Sequence, residues 1–251
     1  MGFLQKIIEN RVTLQEMAVA SVQQSRIAGP KSTLLGVAGL GFAWYMLPGV
    51  LMLPFMFIWG MERWQYDTIV TWAHVISASI IVTWYTRIIG RKFRSLLANP
   101  IGGRTVVSSV ATGIVLAGVG ELLWGASLVD GITVIALRFD PAVNFGTPVL
   151  FIGAVVLTPL VHEAFFRGVL QEHARTSLSA GGAILVSGTA FALLYASLFY
   201  IGGATSMVVT ILFLFPQGCL FGYLYQHHNT ILAPAIAHAL VNLYAFSSLL
   251  L

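Results

Sequence analysis

Seven apolar runs, each about as long as a lipid bilayer is thick, constrain how this chain of 251 residues can fold. A helix needs about 20 predominantly apolar residues to cross the hydrocarbon core of a membrane. The predicted spans cover residues 33–59, 68–89, 105–129, 147 to about 171, 181–202, 204–226 and 231–251. We therefore predict an all-α, multi-pass transmembrane bundle of about seven helices.

The composition excludes an ordinary soluble domain. Only 9% of the residues are charged and 57% are hydrophobic, with a mean hydropathy of +0.86, whereas about a quarter of the residues of a soluble domain are charged. The net charge of +4 does not indicate nucleic-acid binding, because the basic residues fall in short loops between apolar runs. The lipid bilayer is therefore the first expected partner.

The apolar runs divide the chain into three parts. Residues 1–32 form a cytoplasmic N-terminal segment, in which residues 3–27 have the pattern of an amphipathic helix lying in the membrane interface. Residues 33–146 hold three spans, and residues 147–251 hold four. We expect neither a cleaved signal peptide nor N-myristoylation. Cys219 is the only cysteine and is expected to be a small buried hydrophobic residue.

The loop charges predict the orientation in the membrane. Of the 13 Lys and Arg residues, eleven fall on one side of the predicted bundle and two on the other. The positive-inside rule then places the N-terminus in the cytoplasm and, after seven spans, the C-terminus outside. The expected location is the cell (inner) membrane.

The fourth span carries a cluster of ionisable residues, His162, Glu163 and Arg167, after a long apolar run. An ionised side chain in hydrocarbon costs at least ~2.5 kcal/mol, so each of them needs a partner, water or a function. Glu163 and Arg167 are four residues apart and share one helix face, where they can pair. His162 points about 100° away from Glu163, toward a different neighbour.

Other polar residues are predicted at a similar depth. His238 lies about eight residues into the seventh span, roughly 12 Å deep, and Asn242 follows one turn later on the same face. Phe191 and Tyr195 form a similar pair in the fifth span. A single membrane histidine usually bridges helices by a hydrogen bond, but these residues together favour a polar site that opens toward the cytoplasm.

Several other features have simpler interpretations. Gly218 and Gly222 are expected to pack helices together. Glu121 and His74 are expected to be buried partners of an arginine or of a backbone carbonyl, and the neighbouring histidines at 227 and 228 to be solvated at a cytoplasmic turn. The aromatic residues of the first spans are predicted to lie at the interface or to face lipid, among them Trp44, Trp84 and Tyr85.

The spacing of the possible ligands does not require a metal ion. His162-Glu163 matches the first half of the HExxH motif, but Phe166 stands where its second histidine belongs. His162, Glu163 and His238 could still hold a metal, although nothing in their spacing requires one. We predict no metal and no cofactor.

These residues resemble the three motifs of the CPBP membrane proteins, also called Abi or CAAX-protease-like. The family's EExxxR motif followed by Gly resembles the segment HEAFFRG at 162–168, FxxxH resembles FALLY at 191–195, and HxxxN matches HALVN at 238–242. The resemblance covers about residues 147–246 and implies a CPBP-like core of four helices.

The resemblance also implies roles for the site residues. In proteolytic members the first glutamate and the FxxxH histidine activate the attacking water, while the last histidine and asparagine stabilise the oxyanion. The corresponding positions here are His162 and Tyr195, and then His238 and Asn242. His162 and Tyr195 therefore depart from the pattern. A neutral imidazole can act as a general base, whereas tyrosine is a poor base but can donate a hydrogen bond to an oxyanion.

Two hypotheses follow. In the first, the chain is a metal-independent intramembrane endopeptidase acting on a membrane protein or a prenylated peptide. Glu163 or His162 activates water, His238 and Asn242 stabilise the oxyanion, and Arg167 orients the carboxylate. In the second, the chain has lost peptidase chemistry and is a scaffold, an immunity-type protein or an accessory subunit of a membrane complex. The candidate site is the same in both: His162, Glu163, Arg167, Tyr195, His238 and Asn242.

Overall fold

The computed structural model describes residues 29–55, 57, 63–89, 96, 100–125, 147–196 and 203–247. Within these ranges the chain is helical and contains no strand. The helices are α1 (Pro30–Met52), α2 (Arg63–Ile88), α3 (Gly103–Gly125), α4 (residues 147–174), α5 (Ala180–Ala196), α6 (Gly203–His228) and α7 (Leu232–Ser247). The predicted all-α bundle is confirmed. The predicted amphipathic segment at residues 3–27 lies outside the described residues.

Within the part of the chain that the structure describes, four helical stretches are long and apolar enough to cross a membrane by themselves. They are Pro30–Phe55, Thr68–Ile88, Gly103–Leu123 and Pro148–Ala174, and shorter apolar helices cover Ala180–Leu193 and Leu232–Ala245. The chain is therefore an integral membrane protein. The predicted loop at residues 61–67 is wrong in part, because α2 begins at Arg63.

Glycines bring several pairs of helices into close contact. A Cβ atom on Gly218 of α6 would lie 2.9 Å from the Cα atom of Gly188 on α5. A Cβ atom on Gly222 would lie 2.8 Å from Oε1 of Gln171 on α4, and one on Gly113 of α3 would lie 2.8 Å from Cβ of Leu240 on α7. The predicted packing role of Gly218 and Gly222 is confirmed.

Helix α4 is irregular and lies at the centre of the bundle. Two of its segments, Ile152–Leu157 and Phe166–Gln171, are π-helical, and they flank the regular segment Thr158–Phe165. Insertions of this kind are rare in helices and are often found at functional sites. The residues from Phe165 to Gln171 are buried throughout, so this part of α4 contacts other helices on all sides, whereas Val149, Ile152 and Val156 in its first half are exposed.

The glycine contact between α5 and α6 can be tested by adding one methyl group. We expect Gly218→Ala to destabilise the protein by about 1–3 kcal/mol, because the contact at Gly188 leaves no room for a Cβ atom. Gly118→Ala on α3 is the matched control, since nothing lies within 4 Å of that position, and alanine there gains up to about 1 kcal/mol of helix propensity. Thermal unfolding in detergent measures both, and equal melting temperatures would contradict the close contact.

Candidate functional site

Glu163 lies at the centre of a buried ionic cluster. Its Oε2 atom accepts a hydrogen bond from Nε of Arg167 at 2.8 Å, and its Oε1 atom lies 2.8 Å from Nδ1 of His238 on α7. The side chains of Glu163 and Arg167 are fully buried. The predicted pairing of Glu163 with Arg167 is confirmed, and the predicted common depth of Glu163 and His238 is confirmed by their direct contact.

Ser187 on α5 contacts the other side of the guanidinium and is not among the predicted site residues. Nη1 of Arg167 donates a hydrogen bond to the Ser187 hydroxyl at 2.7 Å, and the hydroxyl donates to the carbonyl of Phe166 at 2.8 Å. Ser187 precedes Phe191 by one helical turn and therefore shares its face of α5. This spacing is the sequence signal that could have indicated Ser187 as a site residue. The cluster thus joins α4, α5 and α7.

Aromatic rings surround the guanidinium. Cζ of Arg167 lies 5.8, 5.5 and 5.9 Å from the ring centroids of Phe166, Phe191 and Phe221. Cations at such distances are attracted by the ring quadrupoles, and the attraction grows when the charge is shielded from water. The ring of His238 stacks on Phe221 with centroids 5.2 Å apart. The aromatic shell therefore positions both partners of Glu163, Arg167 and His238.

His162 lies beside this cluster, toward α1. Its ring centroid is 5.7 Å from that of His238 and 4.8 Å from that of Trp44. Trp44 also stacks on Phe165 at 4.3 Å. The predicted position of Trp44 at the interface or facing lipid is wrong, because the indole is only 5% exposed and packs against the site.

The structure does not bring Asn242 to Glu163. The side-chain amide of Asn242 donates to the carbonyl of Ala154 at 2.8 Å, in the first π-helical segment of α4. The backbone of Tyr195 belongs to α5, but its side chain lies outside the described residues. Four of the six predicted site residues, Glu163, Arg167, His162 and His238, are therefore gathered together.

Three further residues discussed in the sequence analysis, His74, Glu121 and Tyr85, make hydrogen bonds away from the cluster. Nδ1 of His74 bonds the carbonyl of Val70 at 2.9 Å, as expected for a histidine bound to a backbone carbonyl. Glu121 is exposed, contrary to the expectation that it is buried, and accepts a hydrogen bond from the hydroxyl of Tyr244. Tyr85 was predicted at the interface or facing lipid, but it is buried and its hydroxyl lies 3.1 Å from Nδ1 of His173.

The two neighbouring histidines at the end of α6 differ in their surroundings. His227 is exposed, as predicted, whereas His228 is half-buried. The His228 ring lies 3.1 Å from the hydroxyl of Thr105 and 2.7 Å from that of Ser108, both on α3. Burial, and then the charge of His227, lower the pKa of His228. His228 thus connects α6 to α3.

The region around the cluster is similar to a known protein family. A family model described as Type II CAAX prenyl endopeptidase Rce1-like matches residues 144–244. This part of the chain is therefore similar to the CPBP, or CAAX-protease-like, family. The resemblance inferred from the three motifs is confirmed at this level. No curated protein and no solved structure matches the chain.

The ionic cluster is shielded from its surroundings. His162 is 5% exposed and His238 is 4% exposed, while Glu163 and Arg167 have no exposed surface. Among the described residues, no group of three His, Cys, Asp or Glu side chains is arranged to hold a metal ion. Both carboxylate oxygens of Glu163 already have partners within the protein, namely Arg167 and His238.

Removal of Arg167 tests the electrostatic role of the cluster. Arg167→Ala leaves the Glu163 carboxylate in low dielectric without its arginine, and breaking a buried ion pair in this way costs about 3–5 kcal/mol. Arg175→Ala, in the exposed turn after α4, is the matched control and should change little. Yield and melting temperature in detergent report the difference. Equal values for the two variants would mean that Arg167 is solvated and stabilises nothing.

Proposed function

We propose that this CAAX-protease-like protein has lost peptidase chemistry and serves as a binding or scaffold subunit in the membrane. One observation carries the proposal: Arg167 and His238 engage both carboxylate oxygens of Glu163 in a fully buried position. A general base needs a free acceptor within reach of the proton it removes. A glutamate held on both oxygens is better suited to joining helices than to activating water.

The departures from the family motifs support the same conclusion. The two positions that activate water in proteolytic members hold His162 and Tyr195, whereas the residues that build the ion pair, Glu163, Arg167 and His238, fit the pattern. The chain therefore has the family's residues in the ion pair, but different residues at the two positions that activate water. Its partners would be other membrane proteins, as expected of an immunity-type protein or an accessory subunit.

A second candidate is an intramembrane endopeptidase with a variant site, favoured by the contact between Glu163 and His238. When Nδ1–H of His238 donates to the carboxylate, the imidazole is fixed in the tautomer that leaves Nε2 as a hydrogen-bond acceptor, as in a carboxylate–histidine couple. His238 would then be the base, oriented by Glu163, with His162 beside it. Arg167 would orient the Glu163 carboxylate. The substrate would be a membrane-embedded or prenylated peptide.

Restoration of the family residues separates the two candidates. We expect the natural sequence to cleave no membrane-embedded or prenylated peptide, even at high protein concentration. The double variant His162→Glu with Tyr195→His should gain measurable cleavage, because it supplies a second carboxylate and an imidazole to activate water. Peptide cleavage followed by mass spectrometry is the measurement, with unchanged melting temperature as the folding control.

The opposite result would favour the peptidase. Cleavage by the natural sequence that is lost in Glu163→Gln, His162→Ala and His238→Ala, and reduced by the double change, is not compatible with a scaffold. It would identify His162 and Tyr195 as parts of a working variant site.

We further propose that the protein lies in the cell inner membrane with its N-terminus in the cytoplasm and its C-terminus outside. The excess of Lys and Arg on alternate loops supports this orientation. In a Cys219→Ser background, a cysteine at Ser177 should react with an impermeant thiol reagent from the cytoplasmic side and one at Asn144 from the outside. Reaction of both from the same side would contradict the orientation.

A further inference from the structure

Alternate ends of the described helices meet at one surface of the bundle. These are the starts of α1, α3, α5 and α7 and the ends of α2, α4 and α6. Hydrogen bonds join neighbouring helix ends there, between Ser177 and Thr33, His173 and Tyr85, Tyr225 and Glu172, His228 and Thr105, and Gln226 and the carbonyl of Ala180. The chain between α2 and α3 reaches the same surface at Leu96, whose carbonyl accepts a hydrogen bond from the backbone N–H of Ile231 at 3.1 Å.

Basic side chains are exposed at four of these helix ends. They are Lys31 at the start of α1, Arg87 at the end of α2, Arg104 at the start of α3 and Arg175 after the end of α4, and we call the surface that carries them the basic end. Among the described residues, none of the four forms an ion pair with a carboxylate. The described acidic residue of this surface, Glu172, accepts a hydrogen bond from Tyr225. The described part of the protein therefore leaves the positive charge of the basic end unneutralised.

The sequence between α2 and α3 adds to this charge. Residues 68–120 contain no acidic residue and five basic ones, which are Arg87, Arg91, Lys92, Arg94 and Arg104. The stretch is attached to the core at Leu96, which is buried: a Cβ atom on Gly168 of α4 would lie 2.7 Å from Cδ1 of Leu96. Gly168 directly follows Arg167. The basic stretch therefore contacts the helix that carries the ionic cluster.

Exposed apolar side chains lie next to two of the described cations. Trp84 and Ile88 are near Arg87 on α2, and Ile101 and Val107 are on either side of Arg104 in the chain. Exposed apolar side chains of a membrane protein contact lipid acyl chains, and an exposed tryptophan near a helix end is typical of the headgroup level. The two guanidinium groups therefore lie at the level of the lipid phosphates. An acidic water-soluble protein would match the charge but not these apolar neighbours.

We propose that the basic end binds the headgroups of anionic phospholipids, with Arg87 and Arg104 in contact with the lipid phosphates. A guanidinium can donate two parallel N–H bonds to phosphate oxygens. Zwitterionic lipids carry the same phosphate beside a cation of their own, so the unneutralised charge of the basic end selects anionic lipids. Because the basic stretch contacts α4 at Leu96, bound lipid stabilises the folded bundle by mass action. The proposal does not depend on whether the protein is a peptidase.

Lipid binding by the purified full chain in detergent tests the proposal. The probes are dioleoylphosphatidylglycerol, which is anionic, and dioleoylphosphatidylcholine, which has the same acyl chains and no net charge. Native mass spectrometry measures the affinity for each. We expect Arg87→Gln and Arg104→Gln each to weaken phosphatidylglycerol binding by about fivefold, the factor for one cation near an anionic surface, and to leave phosphatidylcholine binding unchanged. Arg63→Gln is the matched control, because it removes the same charge from the opposite end of α2 and should change neither affinity.

Further measurements separate charge from shape and lipid from free anion. Arg87→Lys keeps the cation and should bind phosphatidylglycerol about as tightly as the natural chain. Phosphatidylglycerol should raise the melting temperature of the natural chain more than phosphatidylcholine does, and this difference should shrink in Arg104→Gln. Melting temperatures in phosphatidylcholine that match the natural chain show that the variants are folded. Glycerol phosphate, a headgroup without acyl chains, should not displace the lipid.

Three results would overturn the proposal. The first is equal affinity of the natural chain for the two lipids. The second is a loss of phosphatidylglycerol binding in Arg63→Gln as large as that in Arg87→Gln. The third is displacement of the lipid by glycerol phosphate or by polyglutamate, which would identify a site for soluble anions or acidic peptides instead. None of these readings requires peptidase activity.

Discussion

The carboxylate of Glu163 is buried in the middle of the bundle, where it must be compensated by neighbouring side chains. A charge in hydrocarbon is unstable unless it is paired and hydrogen-bonded, so α4 can occupy the centre of the bundle only if its neighbours supply partners. Arg167 comes from the same helix, but His238 and Ser187 come from α7 and α5. The relative positions of three helices are therefore set by the bonds of one ionic cluster, and the three phenylalanines around Arg167 shield it from water.

The parts of this arrangement that follow simple geometric rules could be predicted from the sequence. The helical fold follows from the length of the apolar runs, and the Glu163–Arg167 pair follows from a spacing of four residues. The contact with His238 follows from equal depth in antiparallel spans. These rules hold because a bilayer fixes the length and direction of each helix, which removes most of the freedom that a soluble fold would have.

The rest depends on contacts that apolar sequences do not encode. Trp44 lies in a helix that is apolar on all sides, so no periodicity distinguishes its core-facing side from its lipid-facing side. Ser187 is one of two small polar residues on α5, the other being Thr189, and only the position of the guanidinium makes it a partner. The π-helical segments of α4 also change the register that a regular helix would give. They help to explain why Asn242, predicted beside His238 in the site, bonds Ala154 instead.

Close helix contacts on several sides keep the ionic cluster in place. Glycine contacts join α5 to α6 and α3 to α7, and on the α1 side a Cβ atom on Gly36 would have no room against the ring of His173 on α4. Such contacts hold the helices at fixed separations, which an ion pair in low dielectric requires. Helix α1 contributes no charge to the cluster and contacts it through the aromatic ring of Trp44. The charge of Glu163 is therefore compensated by residues of α4 and α7 alone, whether or not the core performs chemistry.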